Sequence, residues 1–248
     1  MSFVNELLYN LLIFLLAFGY VFIVIGVGIF LQKKMEKSSE FTRKTIHVFA
    51  GFVIFVVFFF TPSFAWLALV IAGTFIILVY LSGPNGPEFM KAMFSSMARD
   101  EDIEEGKIYG PLYYAISITI LASIFVWGPL YYYFWIPITA LSMMYLGDGI
   151  APFIGKKFGK NTYGPNNRTV EGSIAVFLFG IAGATITMLF AIFATTQNIV
   201  LNLWVPFIII TGAGIFTLIE ACTPKGWDNI TCPLSVAAYL SILVFLII

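Results

Sequence analysis

Charge in this chain is confined to four short stretches, and the runs between them are apolar and mostly of membrane-spanning length. Every Lys and Arg lies within residues 32–44, 82–110, 147–172 or 220–232, and so does every Asp and Glu except Glu6. The apolar runs cover residues 7–31, 46–60, 64–81, 111–127, 130–146, 173–194, 204–219 and 233–248. A spanning helix needs about 20 apolar residues, with a range of roughly 17–25. The pattern therefore predicts an all-α fold: a polytopic membrane helix bundle of about eight transmembrane helices, with seven to nine as the range. The second, seventh and eighth runs are short enough to be tilted or re-entrant.

The same pattern sets an orientation. The connections around residues 61–63, 128–129 and 195–202 carry no charge at all, whereas the four charged stretches hold all 13 Lys and Arg. Cationic loops stay on the cytoplasmic side. The N-terminus is expected outside, and the polar loops, with any chemistry they carry, on the cytoplasmic face.

Composition agrees. Charged residues make up 10% and hydrophobic ones 60% of the 248 residues, and mean hydropathy is +0.96. A soluble domain has about 25% charged residues. The polar stretches are too short to fold alone, so residues 1–248 are expected to form one integral membrane domain. Net charge is zero, which gives no field for nucleic acid. No Asp, Glu, Lys or Arg falls within the apolar runs, which argues against a transporter built on midplane ion sites. The first run lacks a basic leader and a cleavage site, and is expected to be retained as a helix. Cys222 and Cys232 are the only cysteines and His47 the only histidine. A tetrahedral zinc site is not expected from that set, and both thiols are expected to be free.

The stretch over residues 147–173, GDGIAPFIGKKFGKNTYGPNNRTVEGS, carries the densest mixture of chemistry. Glycines recur at 149, 155, 159, 164 and 172, with Lys156, Lys157, Lys160 and Arg168 between them. Glycine lets backbone N–H groups approach an anion, cations neutralise it, and carboxylates hold a divalent metal. Lys156, Lys157, Lys160 and Arg168 with Gly155 and Gly159 thus look like a phosphate cradle, although any one cation could equally serve as a topology signal. No Walker A or dinucleotide fingerprint is present.

Asp148 stands where a spanning helix leaves the membrane. A carboxylate is disfavoured at a helix C-terminus, so a bound Mg²⁺ or a nearby cation would compensate it. The spacing of Ala151, Gly155 and Gly159 suits a further helical turn or two. Thr169, Glu171, Gly172 and Ser173 open the next apolar run, where a hydroxyl and a carboxylate suit the positive helix N-terminus. They read either as an ordinary cap or as metal and phosphate contacts. Arg43 and His47 share a helix face at i, i+4 beside Lys44, at headgroup level. Asp228 and Asn229 offer oxygen groups at the start of the last run. The acidic cluster of residues 100–105 reads as a solvated surface.

Taken in order, RKTIHVFAG from Arg43, the D-x-x-A-x-x-x-G-x-x-F-G-K stretch from Asp148, RTVEGSIA from Arg168 and WDNITCPL from Trp227 resemble the membrane-embedded CTP-dependent lipid-alcohol kinases, the family of dolichol, phytol and polyprenol kinases. The resemblance runs from about residue 40 to the C-terminus. It implies that the γ-phosphoryl group of a nucleoside triphosphate, CTP in the family, passes to the hydroxyl of a membrane isoprenoid alcohol such as polyprenol, dolichol, phytol or geranylgeraniol. Partners would be the nucleotide, the lipid alcohol and the surrounding lipids; no oligomeric state is implied. On this reading Arg43, Lys44, Gly155, Lys156, Lys157, Gly159, Lys160, Arg168, Thr169, Gly172, Ser173 and Asn229 surround the nucleotide. Asp148 with Glu171 or Asp228 holds Mg²⁺, and Glu171, Asp228 or His47 takes the hydroxyl proton. Arg168 stands where the family often has lysine.

The central stretch also looks like that of CTP-dependent phosphatidate cytidylyltransferases. Those enzymes carry a C-terminal signature with HGG and a following DR. Here the corresponding loop reads Gly226-Trp227-Asp228-Asn229, which favours the kinase over an enzyme making a CDP-lipid.

Overall fold

A computed structural model of the chain describes residues 2–164, 166–199, 201–224 and 226–247. The architecture is helical, as expected. Among the described residues six helices are long and apolar enough to cross a membrane, and the apolar helices Leu67–Leu81 and Tyr109–Phe125 are shorter. The contacts divide the chain into two compact units, Met1–Ser123 and Ile124–Ile248.

In the first unit, α1 (Phe3–Met35) is capped by Ser2, whose hydroxyl accepts from the Asn5 N–H. It ends at Glu36, which adopts a left-handed conformation. Ser38 then caps α2 (Ser39–Gly51) through the Phe41 N–H. Residues 32–44, which read as a basic loop, are therefore mostly helical. Ser and Glu placed just ahead of an apolar run start a helix earlier than hydropathy alone indicates. A 3₁₀ segment (Phe52–Phe59) continues α2, and α3 (Leu67–Leu81) follows a turn held by Asn10. That side chain is fully buried; it donates to the Glu6 carbonyl and Thr61 Oγ1 and accepts from the Thr61 N–H.

Residues 82–110 are not a plain polar loop. They form the amphipathic α4 (Glu88–Met97) and the short acidic α5 (Asp100–Glu105), before α6 (Tyr109–Phe125). Met93, Phe94 and Met97 on α4 enter the core of this unit with Val21, Ile25 and Ile46. Thr42 Oγ1 donates to the Ser96 carbonyl, at 2.7 Å, and joins α2 to α4.

The second unit is built around one continuous helical rod. Its parts are a 3₁₀ turn (Gly128–Tyr133), α7 (Trp135–Ser142), a π-helical stretch (Met143–Asp148) and α8 (Gly149–Phe158). The rod is the most buried of the spanning helices, and every residue of α7 is buried. A two-stranded hairpin follows, β1 (Thr162–Tyr163) with β2 (Arg168–Thr169), in the register Thr162 to Thr169 and Tyr163 to Arg168. Then come α9 (Val170–Ala194), α10 (Trp204–Cys222) and α11 (Asp228–Ile242), which pack on one another and on the rod.

Close approach of α9 to the rod depends on two glycines. A Cβ at Gly183 would stand 2.5 Å from the Ser142 carbonyl oxygen, and one at Gly147 would stand 2.9 Å from that of Val176. Small residues at such crossings let backbones meet. The consequence for function is positional. The rod leaves its buried part at Asp148, α9 begins beside Arg168, α10 ends near Glu220, and α11 begins at Asp228. Three helix ends thus converge beside the π stretch of the rod.

Candidate active site

Asp148, Glu220 and Asp228 each turn a carboxylate oxygen into a common space, and these oxygens lie within 4.8 Å of one another. Like charges at that spacing repel strongly in a poorly hydrated setting. Glu220 is only 5% exposed and Asp228 only 9%.

Arg168 partly relieves this repulsion. Its Nη1 is ion-paired with Glu220 Oε1, and its Nη2 lies 3.1 Å from Asp228 Oδ2. Nη2 also donates to the Thr223 carbonyl at 3.3 Å. Three carboxylates around one guanidinium make an acidic group, a donor set that suits a divalent cation.

Each of these side chains is placed by local chemistry. Arg168 reaches the cluster because β2 pairs with β1 across a turn in which Gly164 and Asn167 both adopt positive φ. The hairpin is anchored on the α10–α11 connection by Asn166, whose Nδ2 donates to the Thr223 carbonyl at 3.0 Å. Asp228 is held by backbone. Its Oδ1 accepts from the N–H groups of Asn229, at 3.0 Å, and of Gly226, at 3.2 Å. Gly226 has φ +95°, a conformation that only glycine adopts at low cost. Asp148 closes the π stretch; π turns inside α-helices frequently mark functional sites.

A divalent cation fits this donor set. Hard carboxylate oxygens are what Mg²⁺ takes, and Glu220 Oε2 is buried with no hydrogen-bond partner among the described residues. Asp148 and Asp228, read from the sequence as metal ligands, are thus brought together. Glu171 is not part of the group. Its carboxylate faces the backbone N–H groups of its own residue, Lys160 and Asn161 instead, an arrangement that fixes the turn after α8. Glu220 takes the third place. The sequence held one signal for it: a lone acidic residue closing an apolar run, eight positions before Asp228.

The glycines have a packing explanation. A Cβ on Gly155 or Gly172 would stand 2.9 or 2.8 Å from Thr169 Oγ1, and one on Gly159 would run into the Gly155 carbonyl. Thr169 caps α9 by accepting from the Gly172 N–H at 3.0 Å. Gly155, Gly159 and Gly172 therefore let α8, β2 and α9 close around one threonine. Ser173 is hydrogen-bonded to the Tyr163 hydroxyl. Lys156, Lys157 and Lys160 are exposed around the C-terminal end of α8, where cations suit the helix dipole. Asn229 is buried beside Asp228.

Arg43, Lys44 and His47 lie on α2, in the first unit. Lys44 is buried, at 8% exposure. The His47 ring stands 4.6 Å from that of Tyr114, whose hydroxyl donates to the His47 carbonyl at 3.4 Å. Both cysteines are free thiols, Cys222 exposed and Cys232 buried.

Fold and site together define an integral membrane protein with a partly neutralised acidic centre where three helix ends meet a continuous helical rod. Its relatives are kinases of lipid alcohols. The chain is 37% identical over 155 residues to a probable chloroplastic phytol kinase 2 of Oryza sativa subsp. japonica, covering 60% of this chain and 48% of the relative. It is 28% identical over 226 residues to the chloroplastic phytol kinase 1 of Arabidopsis thaliana, covering 85% of this chain and 69% of the relative. It is 30% identical over 168 residues to the chloroplastic farnesol kinase of the same plant, covering 65% and 49%. The chain spans about half the length of the rice relative and of the farnesol kinase. No family model matches the chain, and no solved structure matches it. The resemblance to the lipid-alcohol kinases, read from four short motifs, is borne out by these relatives.

Proposed function

We propose that this protein transfers the γ-phosphoryl group of a nucleoside triphosphate to the hydroxyl of a membrane isoprenoid alcohol. The observation that carries the reading is the carboxylate cluster of Asp148, Glu220 and Asp228 at the end of a bundle of spanning helices. CTP as donor rests on the family resemblance. An isoprenoid acceptor of the phytol, farnesol, geranylgeraniol or polyprenol class rests on that resemblance and on the relatives' names.

Location supports the reading. A lipid alcohol keeps its chain among the helices and offers its hydroxyl at the interface, where a water-soluble nucleotide arrives. The charge pattern of the loops supports a cytoplasmic site. Phosphoryl transfer requires positioning and charge neutralisation rather than covalent chemistry by the protein. Mg²⁺ bound at the cluster would supply neutralisation of phosphate charge. Asp148, Glu220 and Asp228 would hold it, and Lys156, Lys157 and Lys160 would attract the phosphates from the exposed end of α8. Asp228 accepts from Gly226, Asn229 and Arg168, which leaves about one of its carboxylate lone-pair sites for the cation. Within this unit Glu171, whose Oε2 is buried with no hydrogen-bond partner among the described residues, is the candidate for accepting the hydroxyl proton.

Incubation of the purified protein with γ-labelled CTP or ATP and a panel of phytol, farnesol, geranylgeraniol and longer polyprenols tests the proposal. Label on a lipid monophosphate, with a nucleoside diphosphate released, is the expected result. A CDP-lipid formed from a lipid phosphate, with pyrophosphate, would instead make the protein a cytidylyltransferase. No consumption of either nucleotide would overturn the kinase reading.

A further inference from the structure

The guanidinium of Arg168 sits on two of the three carboxylates that the proposed function assigns to a metal. We infer that Arg168 is an internal competitor for the metal site: it holds Glu220 and Asp228 in the metal-free protein and yields them when a divalent cation binds. The inference rests on the metal reading above and extends it to how the site is loaded.

The geometry carries the argument. Nη1 engages Glu220 and Nη2 engages Asp228, so one planar cation bridges two acids from different helices. Arginine does this because its fork presents parallel donors. Without it, Glu220 and Asp228 would lose the cation that bridges them, within a group of three acids whose oxygens lie within 4.8 Å of one another. With a divalent cation present, the same guanidinium becomes a like charge beside the ion, and the sign of its contribution reverses. Arg168 is also incompletely tied. Its Nε is buried with no hydrogen-bond partner among the described residues, and so is Glu220 Oε2. Both partners keep unused hydrogen-bonding capacity for a second arrangement. Arg168 stands on a two-residue strand rather than inside a helix, so its side chain can leave the acids without moving α10 or α11. A guanidinium released next to a bound ion is placed to meet the phosphate of an incoming nucleotide.

Mn²⁺ binding to the detergent-solubilised full chain without nucleotide, followed by electron paramagnetic resonance, tests this. Arg168→Gln is expected to bind Mn²⁺ roughly tenfold more tightly than the unmodified protein, a change of the size typical of coupling free energies. The same variant is expected to bind nucleotide more weakly. Arg168→Lys keeps the charge but cannot bridge both acids, and its Mn²⁺ affinity should fall between the two; it carries the test if Arg168→Gln does not fold. Mn²⁺ affinity unchanged or weakened in the folded variants would overturn the inference and leave the metal site standing. Absence of Mn²⁺ binding in every form, including one saturated with nucleotide, would overturn the metal reading itself and the inference with it.

Discussion

Glu220, at the end of α10, is ion-paired with Arg168 of the hairpin that precedes α9. The two residues lie 52 positions apart in the sequence and belong to elements that meet only through the folding of the second unit. Their pairing couples a structural contact to the acidic centre, so substitutions there are expected to affect both stability and turnover.

Glu220→Gln keeps the shape of the side chain and removes its charge. Turnover is expected to fall by at least ~10²-fold, the scale of losing one preorganised electrostatic contact, while the protein remains folded. Glu220→Ala should in addition destabilise the fold by about 1–3 kcal/mol, because it leaves Arg168 Nη1 without an acceptor where Gln would still offer one. Lipid phosphorylation assays paired with thermal unfolding in detergent separate the two effects.

Asp148→Asn is expected to abolish lipid phosphorylation with insertion and folding intact. Retention of a near-normal rate would remove Asp148 from the mechanism.

Lys160→Ala should raise the apparent KM for nucleotide with a smaller effect on kcat, since an exposed cation at the end of α8 assists binding from outside the acidic centre. An unchanged KM would leave this lysine as a determinant of topology alone. Added salt should weaken nucleotide binding in the unmodified protein more than in the variant.

Gly183→Ala should destabilise the protein by about 1–3 kcal/mol, the usual range for forcing a methyl group into a packed interface, because its Cβ would meet the Ser142 carbonyl. Gly26→Ala is the control: nothing lies within 4 Å of a Cβ there, and its melting temperature should be unchanged or slightly raised. Equal effects at both positions would show that the packing of α9 on the rod is less tight than described.

Much of the architecture was legible because a bilayer imposes a strong rule: each buried span must be a helix, and hydropathy marks it. Asp148 and Asp228 were legible as candidates for the same reason, being acids that flank apolar runs, and the fold brings them together. Glu220 shares that signature, but its place in the cluster depends on the tertiary meeting of α10 with the hairpin, which no local pattern encodes. Glu171 lies outside the group of three acids, its carboxylate drawn to the turn at Lys160 and Asn161, a direction that no local pattern encodes. Gly155, Gly159 and Gly172 show a further limit. A glycine that admits a phosphate and one that admits a neighbouring threonine look identical in a sequence. α4 was missed within residues 82–110 because hydropathy averages over an amphipathic helix, whereas its apolar face is one-sided.

The π-helical stretch Met143–Asp148 has a consequence for how such a site can change over time. A helix that accommodates one residue beyond the α repeat returns to its regular path when one residue is deleted. Removing a single residue between positions 143 and 147 would restore the α path and keep everything beyond it in nearly the same register, whereas the same deletion within α7 would rotate everything beyond it by about 100°. Asp148 would then leave Glu220 and Asp228 although its codon is untouched. In this chain the reading length of one helix, as much as the identity of any side chain, determines whether the three acids share a space.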